Sequence, residues 1–146
     1  MRYSLSDYIL SIEPGDNELK EAFGTITIGG EGSYVGSVRA SQTNDLFTTK
    51  GYATGDWVHN KNMDRTGTVE ISLNQLAEKI GVLMRLINYY FLGDYDGATI
   101  SIVDKSGKHV CSASDCYPAK PADQDFGAEA ADQTWTFTCG KVTFGE

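Results

Sequence analysis

The sequence predicts a mainly β, antiparallel domain of 146 residues, with one flanking α-helix over about residues 73–92 and a long extended loop over about residues 42–65. Three observations carry this. Short runs alternate apolar and polar side chains with the period of two that marks half-buried strands. One stretch alone repeats its apolar residues at helical spacing. Between them lies a segment of about two dozen residues with neither pattern.

Thr25-Ile26-Thr27-Ile28 sets both isoleucines on one face. Tyr34, Val38 and Ala40 share a face opposite Val35, Ser37 and Arg39. Gly29-Gly30-Glu31-Gly32 lies between these runs and reads as a hairpin turn, since glycine supplies positive φ without strain. It is no phosphate loop, because no Gly-Lys-Ser/Thr follows it. Ala98, Ile100 and Ile102 form the next alternating run. Asp104-Lys105-Ser106-Gly107 turns it back into a partner strand from Lys108 to Ala113. Trp135, Phe137 and Cys139 face one way and Thr134, Thr136 and Thr138 the other. Val142 to Phe144 extend that strand past a bulge expected at Gly140.

The helix begins with what reads as a capping box, Ser72 with Gln75 three residues on, and a staple of Ile71 on Leu76. Leu73, Leu76, Ala77, Ile80, Leu83, Met84, Ile87 and Phe91 make its apolar stripe, and Gly93 stops it. Val82, Leu86 and Tyr89 add apolar bulk on the other side, around Arg85. A helix apolar nearly all round needs covering twice, and another subunit is the expected second cover. Val82, Arg85, Leu86 and Tyr89 are therefore the candidate outer contact face.

Residues 42–65 are polar with scattered apolar side chains. Two readings stand. One is a contact arm that meets other molecules through Asp45, Leu46, Phe47, Lys50, Tyr52, Trp57, Met63 and Arg65. The other is a long twisted hairpin whose aromatics reach the home core. Residues 118–132, with Asp123, Asp125, Glu129 and Asp132, read as a solvated acidic loop that lacks the spacing of an EF-hand.

The composition excludes several functions. Twenty acidic against twelve basic residues leave a net charge of −8, with no basic face for gripping nucleic acid. No apolar run reaches the roughly 18–20 residues that span a bilayer, so no membrane partner is expected. Met1-Arg2-Tyr3-Ser4 opens without the apolar core of a secretory signal. Cys111, Cys116 and Cys139, with His109, match none of the paired Cys-x-x-Cys spacings of zinc sites and read as reduced thiols. His109 with Cys111 lacks the orienting third group of a catalytic pair. No nucleophile elbow or phosphate cradle occurs. No enzyme activity, cofactor or metal is expected. A small β-rich domain with few prolines leaves strand edges unblocked, and such edges invite pairing with further copies, as rings.

Asp64-Arg65-Thr66-Gly67-Thr68-Val69 followed by Gln75, with Arg39, Asp45, Thr49 and Gly51 before it, resembles the tail tube (inner tube) proteins of contractile-tailed bacteriophages. Lys120-Pro121-Ala122-Asp123, then Phe126-Gly127, then Trp135-x-Phe137-x-Cys139, is similar to the same family's C-terminal signature. The match covers roughly residues 24–140. It implies a single tail-tube-like domain over residues 1–146, built as a β-sandwich or half-barrel. It implies homo-hexameric rings stacked into a hollow tube inside a sheath of tail sheath protein. Tape-measure protein and baseplate are implied partners. DNA passes through the lumen without specific binding, and the tube sits in the virion tail after assembly in the host cytoplasm. The loop over residues 42–65 would reach the adjacent ring and the neighbouring subunit. Six copies at −8 would give about −48 per ring, and negative walls repel phosphates.

Two alternatives accompany this. One is the tube of a phage-derived contractile injection particle. The other is a carbohydrate- or protein-binding β-sandwich module of a baseplate or fibre, with Trp57, Tyr52 and Tyr34 as a stacking platform.

Overall fold

A computed structural model describes residues 2–29, 33–106 and 109–145. A short 3-10 turn (Leu5–Asp7) leads into β1 (Tyr8–Glu13), α1 (Asn17–Phe23), β2 (Ile26–Ile28), β3 (Val35–Gln42), β4 (Phe47–Gly51), β5 (Trp57–Lys61), β6 (Gly67–Asn74), α2 (Lys79–Leu92), β7 (Ala98–Asp104), β8 (His109–Lys120) and β9 (Asp132–Phe144). Seven strands form one antiparallel sheet in the order β2-β1-β7-β8-β9-β6-β3, and β4 with β5 forms a separate two-stranded ribbon.

The chain's own connectivity requires the large sheet to curl. β2 and β3 are its two edges, yet only the short link between Ile28 and Val35 joins them. Seven residue steps reach roughly 23–25 Å. Six strand spacings in a flat sheet would put the edges roughly 29 Å apart. The sheet bends accordingly into a half-barrel, and an apolar cleft of about 410 Å³ at its mouth is lined from both edges, by Ile28 on one side and Val35, Val38 and Ala40 on the other. The expected hairpin of β2 with β3 does not form: β2 pairs with β1 and β3 with β6. Of its turn, Gly30, Glu31 and Gly32 lie outside the described residues, while Ser33 Oγ donates to the Gly29 carbonyl at 2.8 Å and accepts its N–H at 3.2 Å.

Alternation drives each strand's burial. β6 buries Gly67, Val69, Ile71 and Leu73 in turn, and β9 buries Gln133, Trp135, Phe137, Cys139 and Val142. Leu10 and Ile12 of β1 and Ala98 and Ile100 of β7 face the same core. β9 runs on to Phe144 as expected. The irregularity of the β8–β9 pairing, however, falls between Pro118 and Lys120 and not at Gly140. A bulge after Val35 also shifts β3, so that Val35 joins Val38 and Ala40 on the core side instead of opposing them. The turn after β7 is closed by Asp104 Oδ1, which accepts from the Ser106 N–H at 3.0 Å and hydroxyl at 2.6 Å. Gly107 and Lys108 of that turn lie outside the described residues.

The helical boundaries differ from the sequence expectation. α2 starts at Lys79, because Ser72, Leu73 and Asn74 are drawn into β6 by pairing with Thr134, Gln133 and Asp132. Gln75 does not close a capping box. Its Oε1 accepts the Ala131 N–H at 3.2 Å, tying the strand's end to the loop before β9. The expected staple fails too, since Ile71 is a core residue of β6 and Leu76 is exposed.

A second helix, α1, is new. Asp16 caps it by accepting the Glu18 N–H at 3.0 Å, and Leu19 sinks fully into the core.

Candidate functional site

The ribbon β4–β5 is an arm. Every residue from 42 to 66 is exposed, including Trp57 at 66% and Met63 at 68% of their free surface. The aromatics do not reach the home core, which decides between the two sequence readings in favour of a projecting element. The predicted site residues Asp45, Leu46, Phe47, Lys50, Tyr52, Trp57, Met63 and Arg65 all lie on it.

Its local chemistry follows from register. Phe47 pairs with Lys61, Thr49 with His59 and Gly51 with Trp57. Paired residues share a face of the ribbon. Phe47, Thr49, His59 and Trp57 thus occupy one face, and Thr48, Lys50, Val58 and Tyr52 the other. Thr49 Oγ1 and His59 Nδ1 are hydrogen-bonded at 2.8 Å, and the Lys50 ammonium lies 5.3 Å from the Tyr52 ring centroid. The tip is closed by the Tyr52 N–H on the Asp56 carbonyl at 2.8 Å, with Gly55 at a φ of 93° that favours glycine.

The arm is fastened at its root. Because β3 and β6 are already neighbours, the ribbon continues their pairing outward across a polar joint. The Thr43 N–H donates to the Thr66 carbonyl at 2.9 Å and the Asn62 N–H to the Leu46 carbonyl at 2.8 Å. Asp64 accepts from Asn44 Nδ2 at 2.7 Å and from the Thr66 N–H at 2.9 Å. These bonds, the Thr66 backbone bond foremost, hold its carboxyl below the usual carboxylate range. Beneath the joint, Gln42 Nε2 donates to the Val142 carbonyl at 2.8 Å, and the Val142 N–H donates to the Arg65 carbonyl at 2.9 Å. Both legs of the arm are therefore bonded to one buried residue of β9.

The expected outer helix face is different in kind. Leu86 is 0% exposed and belongs to the core, and Val82 and Tyr89 are half-buried against it. The missing cover is α1: Phe23 meets Tyr89 edge-on at 5.2 Å and lies 5.3 Å beneath the Arg85 guanidinium. A second cover for this side of α2 thus comes from within the same chain. Exposed apolar side chains of α2 sit at its end instead, at Phe91 and Leu92.

The sugar-platform arrangement is not assembled. Trp57 and Tyr52 alternate to opposite faces of the arm, and Tyr34 precedes β3 at its far end from the arm. Among the described residues, no three His, Cys, Asp or Glu side chains gather to hold an ion. The His109 side chain lies outside the described residues. Cys111 is buried, and burial pushes its thiol up, the reverse of what a nucleophile needs.

The chain matches no protein-family model and no curated protein in sequence. In structure it superposes over nearly its whole length on solved components of contractile injection systems. The sheath–tube complex of the extracellular contractile injection system PVC gives a TM-score of 0.59 at 15% identity, covering 97% of this chain and 90% of that one. The sheath/tube terminator of the same system gives 0.60 at 13%, covering 98% and 96%. The tube-terminating cap of the anti-feeding prophage gives 0.57 at 17%, covering 98% and 91%.

The fold is that of a contractile-tail tube. The neighbours come from a sheath–tube complex, a sheath/tube terminator and a tube-terminating cap, and none of these three is named as an enzyme. Within this tail-tube fold the arm is the connection between β3 and β6. Sequence reasoning located it through its missing core pattern, and missed its root at Val142, which no local signal marks.

Proposed function

We propose that the chain is a structural protomer of a contractile tail's inner tube, acting as one tail-tube-like unit over its whole length. Six copies close into a ring, rings stack into a hollow tube, and a sheath surrounds it. Tape-measure protein fills the lumen before DNA passes, and the baseplate closes the far end. The observation that carries this is the arm, a ribbon with no buried side chain and with both legs bonded to the sheet. A two-stranded ribbon is marginal alone in water, and Leu46, Phe47, Trp57 and Met63 lie open on it. A neighbouring copy and the adjacent ring supply the missing cover.

The solvent face of β3, β6 and β9 is the candidate lumen wall. It carries Ser37, Arg39 and Ser41, then Thr68, Glu70 and Ser72, then Thr134, Thr136 and Thr138. Arg39 and Glu70 oppose each other in register. This wall is hydroxyl-lined and balanced in charge, so the chain's acidity lies elsewhere. It offers a passing phosphate backbone no cluster of cations.

A second reading, the tube of a contractile injection particle, is supported by the structural neighbours, which are components of such particles. Sedimentation velocity at rising concentration tests the shared core of both. Rings and longer species are expected for the intact chain, and a strictly monomeric boundary at every concentration rejects both. DNA in purified particles separates them.

A further inference from the structure

Two of the three thiols stand in an arrangement that the tube does not use. Cys116 of β8 and Cys139 of β9 are direct partners in the register of neighbouring central strands. Both point into the core, Cys116 fully buried and Cys139 retaining 5% of its surface. The Cys116 S–H donates to Cys139 Sγ across 2.9 Å. Cys111 is a built-in comparison. It is equally buried, but its partners across the ladder are Ile102 and Phe144, so it faces no second thiol in register.

We propose that Cys116 and Cys139 are a disulfide-forming pair, joined by a peroxide-class oxidant into a covalent staple between β8 and β9. Directly opposed residues in an antiparallel pair hold their Cβ atoms roughly 4.5–5.5 Å apart. A disulfide uses Cβ separations of about 3.5–4.5 Å and Cα separations of about 4.4–6.8 Å. The register therefore supplies the approach, and only a small inward shift remains. The roles are unequal. The S–H that Cys116 donates favours the thiolate of Cys139, pulling that thiol down, while the same bond, with burial, holds the proton on Cys116 and pushes its thiol up. Asp115, beside Cys116, acts in the same direction on Cys116.

The chemistry closes with hydrogen peroxide. The Cys139 thiolate attacks one peroxide oxygen; an S–O bond forms, the O–O bond breaks, and the departing hydroxide takes the thiol's proton as water. Cys139 is then a sulfenic acid. The Cys116 sulfur attacks it, the S–S bond forms, the S–O bond breaks, and hydroxide leaves as a second water with the Cys116 proton. Two thiols lose two electrons and one peroxide is reduced to two waters. The staple closes the chain around the irregular segment before β9, and so restricts the unfolded state. In a reducing compartment the pair stays as thiols. Nothing in this depends on the tube reading.

The test uses the full chain without substitutions. After treatment with a small excess of hydrogen peroxide, the protein is denatured, its free thiols are counted and alkylated, and it is cleaved before Asp115, Asp123 and Asp132. That cleavage separates Cys111, Cys116 and Cys139 onto three peptides. The thiol count should fall from three to one, with the peptides of Cys116 and Cys139 linked, two hydrogens lighter than their sum. The midpoint of urea unfolding should rise and return on adding reductant. Three titratable thiols after treatment, a link that includes Cys111, or Cys139 carried to sulfinic acid without a link would overturn the proposal.

Discussion

The guanidinium of Arg85 lies over the ring of Phe23, 5.3 Å from its centroid, and this contact joins α1 to the side of α2 that the sequence left uncovered. Phe23 also packs edge-on against Tyr89, so one aromatic of a seven-residue helix covers the apolar bulk of a fourteen-residue one. Phe23→Ala should destabilise the chain by about 2 kcal/mol, less than a fully buried aromatic, since Phe23 is half-buried. Urea melts check it. Assembly at permissive temperature should be unaffected, because the contact is internal.

Trp135 lies at the centre of the half-barrel, 1% exposed. Truncation to Ala should cost roughly 3–5 kcal/mol and threaten folding itself. A loss well under 1 kcal/mol in urea unfolding would show that the core is organised differently.

Gly67 is the point where the sheet passes into the arm. A Cβ there would run into the Ser41 carbonyl oxygen of the paired strand and press on Val142 Cγ2. Gly67→Ala should therefore cost about 1–3 kcal/mol. It should also disturb assembly more than Trp135→Phe does at matched stability, because it moves the arm's root. Thermal melts with parallel sedimentation measure both.

The Asp64 carboxylate fixes the joint of the arm, and its pKa is lowered by the Thr66 and Asn44 bonds. A group depressed on folding stabilises above its unfolded value, here about 3.8, and loses that contribution as pH falls through its lower folded value. Assembly should thus weaken at pH below about 3.8, after which the joint's bonds are lost. Carboxyl NMR titration should place Asp64 below that value. Asp64→Asn should remove the step from the pH profile of assembly.

Much of this fold was legible where one local rule acted alone. Trp135, Phe137 and Cys139 alternate cleanly, and β9 buries them as expected. Residues 42–65 lacked a core pattern, and every one of them is exposed. The failures share a cause, which is that partners distant in sequence override local signals. Ser72 and Gln75 carry a helix-start signature, but the backbone of 132–134 claims Ser72 for a strand. Ile28 and Val35 flank glycines like a hairpin, yet each finds its partner on another strand. The cover for Leu86 and Tyr89 was invisible because α1 is too short for periodicity to mark it. Its one cue is the Asp16 cap.

If the arm serves other copies and not its own chain, its removal abolishes assembly and spares the fold. Electron microscopy of the concentrated protein with and without residues 45–60, the gap closed by a short turn, tests this. Folding of the shortened chain should stay within about 0.5 kcal/mol of the original, since no removed side chain is buried. The intact chain should form annuli and tubes with a central hole, and the shortened chain dispersed protomers. Tubes from the shortened chain, or its failure to fold, would contradict the account.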